Sequence, residues 1–236
     1  GQWDSAIIDT TTGVWTDVFR QPYVDGVTVP LSSARAWGTA WLEPSGPDGS
    51  RRVVMLGGSD AGAVAPGPGE STPPLATAEV LDLDDPEGGW SLEPGLDLNQ
   101  GRAHFNSVLL PDGGILANGG GYGRRSGSLY ADPVFRAELL APGAGGWREV
   151  GNEADARTYH STSVLLPDGR VVSAGDDRDL PFTRNGSETV ADHIQPANRT
   201  AQVWSPPYLF DGPRPVITFA PERVAYDAPF RVAVQG

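Results

Sequence analysis

One heptapeptide, Ser-Val-Leu-Leu-Pro-Asp-Gly, occupies residues 107–113 and recurs 56 residues later at 163–169. Identity over seven residues, in register with its surroundings, marks a repeat architecture and narrows the possible folds more than any other feature of this chain. An arginine precedes each copy, Arg102 and Arg157. Each is followed by a short apolar run ending in glycine, Ile115-Leu116-Ala117-Asn118-Gly119-Gly120 and Val171-Val172-Ser173-Ala174-Gly175. A weaker third copy lies upstream: residues 35–42, a longer polar turn, then Arg52-Val53-Val54-Met55-Leu56-Gly57-Gly58. Tryptophan punctuates the units. Residues 5–9 lead to Trp15, 77–82 to Trp90 and 135–140 to Trp147, and residues 200–204 begin the pattern again.

The physics of one unit is that of a β-meander. In Leu-Leu-Pro-Asp-Gly, proline supplies the fixed φ that suits the second position of a turn, and glycine supplies the positive φ that closes it. The apolar runs on either side are then strands of a hairpin. A terminal Gly-Gly lets backbones approach where a side chain would not fit, as near the hub of radially packed sheets. The 31 glycines and 22 prolines, in no collagen-like period, agree with many short elements and many turns, and 39% apolar residues suffice for a core. A β-sandwich accommodates the same alternation of strand and turn, but sandwiches do not repeat their sequence.

Charge and cysteine content exclude several functions. A net charge of −13 with no clustered cations argues against nucleic acid or an anionic membrane surface as partner. All 17 basic residues are arginine, which folding physics does not require. There is no cysteine, so this sequence forms no disulfide, no thiolate metal site and no thiol nucleophile. No apolar run reaches the ~20 residues of a membrane span, and residues 1–20 lack the layout of a signal peptide.

The double glycines, spaced aromatics and tryptophans resemble kelch repeats, which form the blades of β-propellers. The expected fold is therefore all-β, a kelch-type propeller segment over residues 1–211. Units of 56 to 62 residues leave room for about three to four blades, short of the ~4–8 of a closed ring, so a longer parent polypeptide is expected. After Gly212-Pro213-Arg214-Pro215 the punctuation stops. Val216-Ile217-Thr218-Phe219 and Phe230-Arg231-Val232-Ala233-Val234 read as first strands of a second domain over 212–236.

Among the three histidines, His104, His160 and His193, one has a suggestive setting: Arg157-Thr158-Tyr159-His160-Ser161, ahead of the second heptapeptide. Residues 157–175, with Ser205-Pro206-Pro207-Tyr208-Leu209-Phe210 and Arg214-Pro215-Val216-Ile217, resemble the galactose oxidase and glyoxal oxidase group of copper radical oxidases. That resemblance implies a seven-bladed propeller with copper near its axis and an immunoglobulin-like C-terminal domain, of which 212–236 would be the beginning. It also implies an extracellular enzyme that oxidises a primary alcohol, aldehyde or carbohydrate with dioxygen and releases hydrogen peroxide. By the same resemblance Tyr159 is the axial ligand and the base that accepts the substrate hydroxyl proton, and His160 is an equatorial ligand. Phenolate and neutral imidazole are suitable donors for tetragonal Cu(II).

The pattern is incomplete here. The group's crosslinked cysteine–tyrosine radical pair cannot form without cysteine, so two of its five ligating or radical positions are present. The missing ones, including a second histidine, would belong to the rest of the parent, whose remaining blades are thus an expected partner. A relative that keeps the scaffold without the chemistry, a non-catalytic propeller binding glycan or protein through its loops, is the alternative. The Tyr-His pair also has a purely structural reading, since polar groups at this point of a kelch strand satisfy buried carbonyls.

Other motifs point elsewhere or nowhere. His193 lies in a polar stretch and reads as solvated. Asp176, Asp177 and Asp179 lack the glycine and terminal glutamate of a calcium loop and read as a solvated loop. Gly119 to Gly123 has no following Lys-Ser/Thr, so it is no phosphate cradle. Asn185 and Asn198 head glycosylation sequons.

Overall fold

The computed structural model describes residues 5–18, 35–44, 49–59, 73–126, 129–176, 183–184, 188–189 and 199–236. His193, Asp177, Asp179, Asn185 and Asn198 lie outside them. The described residues contain strands and short 3-10 turns and no α-helix, and every strand pairing is antiparallel.

A hairpin of β1 (Ser5–Ile8) and β2 (Trp15–Val18) comes first. The first main sheet is the meander β3 (Thr39–Leu42), β4 (Arg52–Leu56), β5 (Ala78–Asp82) and β6 (Trp90–Leu92), paired in chain order. The second has β7 (Ala103–Leu109), β8 (Ile115–Ser126), β10 (Arg136–Leu140) and β11 (Arg148–Asn152) in that order, while β9 (Leu129–Pro133) pairs with the far end of β8. The third contains β12 (Thr162–Leu165), β13 (Val171–Ala174) and β16 (Ala201–Trp204). Two further pairs are β14 (Thr183–Arg184) with β15 (Glu188–Thr189), and β17 (Val216–Phe219) with β18 (Ala233–Gln235).

Each heptapeptide forms the predicted hairpin. In the first, the Gly113 N–H donates to Leu110 O at 2.9 Å, Gly113 has φ +86°, and the Asp112 carboxylate accepts from Gly114 N at 2.9 Å. In the second, Gly169 N donates to Leu166 O at 2.9 Å with φ +81°, and Asp168 accepts from Arg170 N at 3.0 Å. The same sequence thus encodes the same Asx-stabilised turn twice.

Strand alternation sends one set of side chains forward to the next sheet and the other back to the preceding one. Val54, Leu56, Ala78 and Val80 of the first sheet pack against Phe105, Ile115, Ala117, Leu140 and Trp147 of the second. Val108, Leu116 and Leu139 of the second meet Val171, Leu165 and Trp204 of the third. Trp90 and Trp147 are buried, their indole N–H groups donating backward, to Ser5 Oγ and to Leu96 O, each at 2.7 Å. Trp15, which the sequence pattern groups with them, is 65% exposed because no described sheet lies behind it.

The first strands of the three sheets, β3, β7 and β12, are neighbours, and the double glycines make this contact possible. A Cβ on Gly119 would sit 2.4 Å from Arg157 O, and one on Gly57 would sit 2.6 Å from the Phe105 ring. The run from Gly119 to Gly123, glycine-rich in sequence, is part of the long strand β8 and no loop. Near the C-terminus, β17 matches the strand read from residues 216–219, whereas its partner β18 begins at Ala233, three residues later than the run from Phe230 suggests.

Candidate metal centre

A buried arginine begins each repeat. Arg35 donates Nε to Glu79 Oε1 at 2.8 Å and Nη1 to the carbonyls of Gly57 and Thr77. Arg102, fully buried, pairs with Glu138 and donates to Gly119 O and Arg136 O at 3.0 Å. Burial pushes the Arg102 guanidinium below its ordinary value, and the Glu138 carboxylate opposes that shift. The third repeat departs from this plan. The strand position of Glu79 and Glu138, opposite Met55 and Ala117, is held by Gln202, opposite Ser173. Arg157 donates instead to Thr200 Oγ1 at 2.8 Å and Gly175 O at 3.1 Å, and Thr200 passes the contact on to Asp155 at 2.5 Å.

Tyr159 and His160 follow Arg157 as the central residues of a turn closed by Ser161 N donating to Thr158 O at 3.1 Å. The turn is fastened at both ends. Asp176 Oδ2 accepts from Thr158 N at 3.1 Å and Thr158 Oγ1 at 2.9 Å, and Asn106 of β7 donates to Ser161 Oγ at 3.1 Å. His160, in the third turn position, has φ +61°, the left-handed conformation that a type II turn needs there. The first repeat makes the same turn one residue earlier, with Gly38 N donating to Arg35 O and Trp37 at φ +61°. Counting from the arginine aligns Tyr159 with Trp37, whereas turn geometry aligns His160 with Trp37.

The structure brings the two expected donors together. The Tyr159 and His160 rings stack with centroids 3.7 Å apart and planes 28° from parallel. Tyr159 is half-buried and His160 exposed. A second histidine joins them: the His104 ring meets Tyr159 edge to face at 5.2 Å, and Trp37 stacks on His104 at 4.7 Å. The Tyr159 phenol and the His160 imidazole are the donor types of a copper(II) site, so the residues present fit that metal as part of a ligand set. Among the described residues no group of three or more His, Cys, Asp or Glu gathers to complete one.

Sequence reasoning missed two contributors. Asp176 was expected in a solvated loop, yet it is buried and anchors the turn that carries Tyr159. Its signal was available in the register, because Asp176 stands where Gly58 and Gly120 stand in the other repeats. His104 was overlooked because its contact with Tyr159 spans 55 residues of sequence and two sheets.

No protein-family model matches the chain. Aldehyde oxidase GLOX of Vitis pseudoreticulata is 30% identical over 224 residues, which cover 92% of this chain and 40% of that protein. A galactose oxidase of Gibberella zeae is 34% identical over 112 residues, 47% of this chain and 14% of that one. The chain therefore spans less than half the length of these relatives. A fungal alcohol oxidase of the AA5 family, solved in complex with copper, shares the fold with a TM-score of 0.52 at 20% identity, over 92% of this chain and 51% of that one. Over most of its length, then, this chain is a homologue of the aldehyde oxidases, and over nearly half of it a homologue of galactose oxidase.

Proposed function

We propose that this chain is the copper-holding propeller segment of a secreted oxidase that converts a primary alcohol to an aldehyde, or the hydrate of an aldehyde to an acid, while reducing dioxygen to hydrogen peroxide. In this reading the three main sheets are kelch blades over residues 1–211, and residues 212–236 open an immunoglobulin-like domain. Support for that division comes from β17 and β18, whose Val216, Ile217, Phe219 and Val234 are all more than half exposed and belong to none of the buried apolar clusters of the main sheets.

The observation that carries the proposal is the stacked Tyr159–His160 pair, presented on a doubly fastened turn in a homologue of these oxidases. His160 would hold the metal through a neutral imidazole nitrogen and Tyr159 through its phenolate oxygen. Bound copper supplies one-electron redox chemistry and lowers the phenol's proton affinity. Tyr159 takes the substrate hydroxyl proton at its phenolate oxygen. The cysteine–tyrosine pair that provides the second oxidising equivalent belongs to the parent protein outside this cysteine-free sequence.

The test is peroxide release by the copper-loaded full-length protein with a panel of simple alcohols, aldehydes and sugars. Turnover is expected, and His160→Ala is expected to lose copper. Bound copper with no turnover on any of these compounds refutes the proposal.

A second reading, a non-catalytic scaffold that binds glycans, is favoured by one observation. Between the first and second sheets, on the side of the Leu-Pro-Asp-Gly turn, an open groove of about 740 Å³ presents Trp41 beside Glu43, Arg52, Glu93 and Asp112. An aromatic face amid carboxylates and a guanidinium suits a neutral sugar. This reading predicts a full-length sequence without the cysteine–tyrosine pair and a His160→Ala variant with unchanged binding.

A further inference from the structure

Three rings occupy the same place in successive repeats: Trp37, His104 and Tyr159 each stand two residues after a buried arginine, Arg35, Arg102 and Arg157. Trp37 has φ +61° and His104 φ +58°. A bulky L-residue in the left-handed region costs on the order of 1–3 kcal/mol, and such strain collects where a side chain must be aimed. Burial offsets little of that cost here, because both rings are only partly covered. What the conformation achieves is contact. Trp37 stacks on His104 with planes 26° apart, and His104 meets Tyr159 at 84°. The backbone fixes the spacing, with His104 N donating to Trp37 O at 2.8 Å.

We infer that His104, backed by Trp37, is a positioning residue for Tyr159: the perpendicular His104 ring and the stacked His160 ring hold the phenol between them and give its oxygen one location. The inference rests on the reading of Tyr159 and His160 as copper donors. A donor held by its neighbours loses less freedom when it takes up the metal, and outer partners of this kind typically contribute 10- to 100-fold to affinity. Neither ring belongs to the ligand set that the family resemblance implies. Both act through Tyr159.

The experiment compares the full-length wild type with His104→Gly and His104→Phe. Glycine deletes the ring while relaxing the backbone at φ +58°, and phenylalanine keeps a flat ring without a nitrogen. In the copper-free protein, 13C relaxation of labelled tyrosine, assigned with Tyr159→Phe, should show Tyr159 ring order falling in His104→Gly and returning in His104→Phe. Cu(II) affinity by calorimetry should follow, about tenfold lower in His104→Gly and largely restored in His104→Phe. Unchanged ring order in His104→Gly overturns the inference. So does copper loss in His104→Phe equal to that in His104→Gly, which would make the imidazole itself the necessary group. A wild type that takes up no copper defeats the functional reading, while the ring-order comparison still decides this one. Trp37→Gly should shift ring order in the same direction and keeps the question answerable should His104→Gly not fold.

Discussion

The buried Arg102–Glu138 pair gives the most demanding test of how these sheets hold together. Its side chains are 0% and 2% exposed. Glu138 uses both oxygens: one takes Arg102, and the other accepts from Asn99 N at 2.9 Å and Asn99 Nδ2 at 2.7 Å. Glu138→Ala would leave the guanidinium with only the carbonyls of Gly119 and Arg136 as acceptors. A buried charge stripped of its partner costs about 3–5 kcal/mol. Taking about 4 kcal/mol and a urea m-value of about 2–3 kcal/mol/M, the unfolding midpoint should fall by roughly 1.5 M. The control is Glu149→Ala, which breaks the half-exposed Arg136–Glu149 pair and should cost no more than about 1 kcal/mol. Replacing both partners, Arg102→Met with Glu138→Leu, should recover most of the loss, because no charge is then stranded. Urea unfolding followed by tryptophan fluorescence gives all three values. Equal effects of Glu138→Ala and Glu149→Ala would show that the buried pair is no more important than a surface one.

Gly119→Ala should cost at least about 3 kcal/mol, because its Cβ would lie 2.4 Å from Arg157 O, whereas Gly113→Ala, with nothing nearer than 3.7 Å, should cost only about 1 kcal/mol for its positive φ. Similar midpoints for the two variants would contradict the close-approach argument. Thr200→Val removes the hydroxyl that links Arg157 to Asp155 and should lower stability by about 1–3 kcal/mol, read from the same urea curves. Burial raises the Glu153 carboxyl above its usual value, despite hydrogen bonds from Ser173 and Asn118. The native state then binds that proton more tightly than the unfolded chain, so this stability is fully present below the unfolded value of about 4.3 and is lost as pH rises toward the native one. Glu153→Gln should match the wild type near pH 4 and exceed it at pH 7, and parallel midpoint–pH curves would rule this out.

Local chemistry was readable where it repeats. Pro-Asp-Gly encodes its turn through φ and one carboxylate, so both copies could be read without tertiary information. Gly57-Gly58 and Gly119-Gly120 announced close backbone approach because only glycine tolerates it. What could not be read depends on neighbours. Nothing local separates Trp15, exposed on a hairpin with no described sheet behind it, from Trp90 and Trp147, buried against the elements that precede them. Asp176 beside Asp177 and Asp179 looks like a solvated acidic stretch until the register puts it under Thr158. Tyr159-His160 was singled out by resemblance, but the stack through His104 to Trp37 exists only once three first strands stand side by side.

The three repeats also serve as controls for one another. The first two share a buried arginine, a glutamate partner on the third strand and a double glycine ending the second. The third keeps the arginine and changes the rest: Gln202 stands for the glutamate, Asp176 for the second glycine, and the turn slides one residue along so that Tyr159 and His160 share it. Arg157 exchanges the direct carboxylate hydrogen bond of Arg35 and Arg102 for the Thr200 hydroxyl, with Asp155 Oδ2 3.9 Å away, and Gly175 has looser packing than Gly57 or Gly119. Asp176 gains two hydrogen bonds to Thr158 in exchange, at the residue before Tyr159. Two of the three departures, Asp176 and the shifted turn, meet at the four residues bearing the phenol and imidazole, while Gln202 accepts from Ala154 N at 2.8 Å, so the site draws on local changes at the end of the second strand more than on the third.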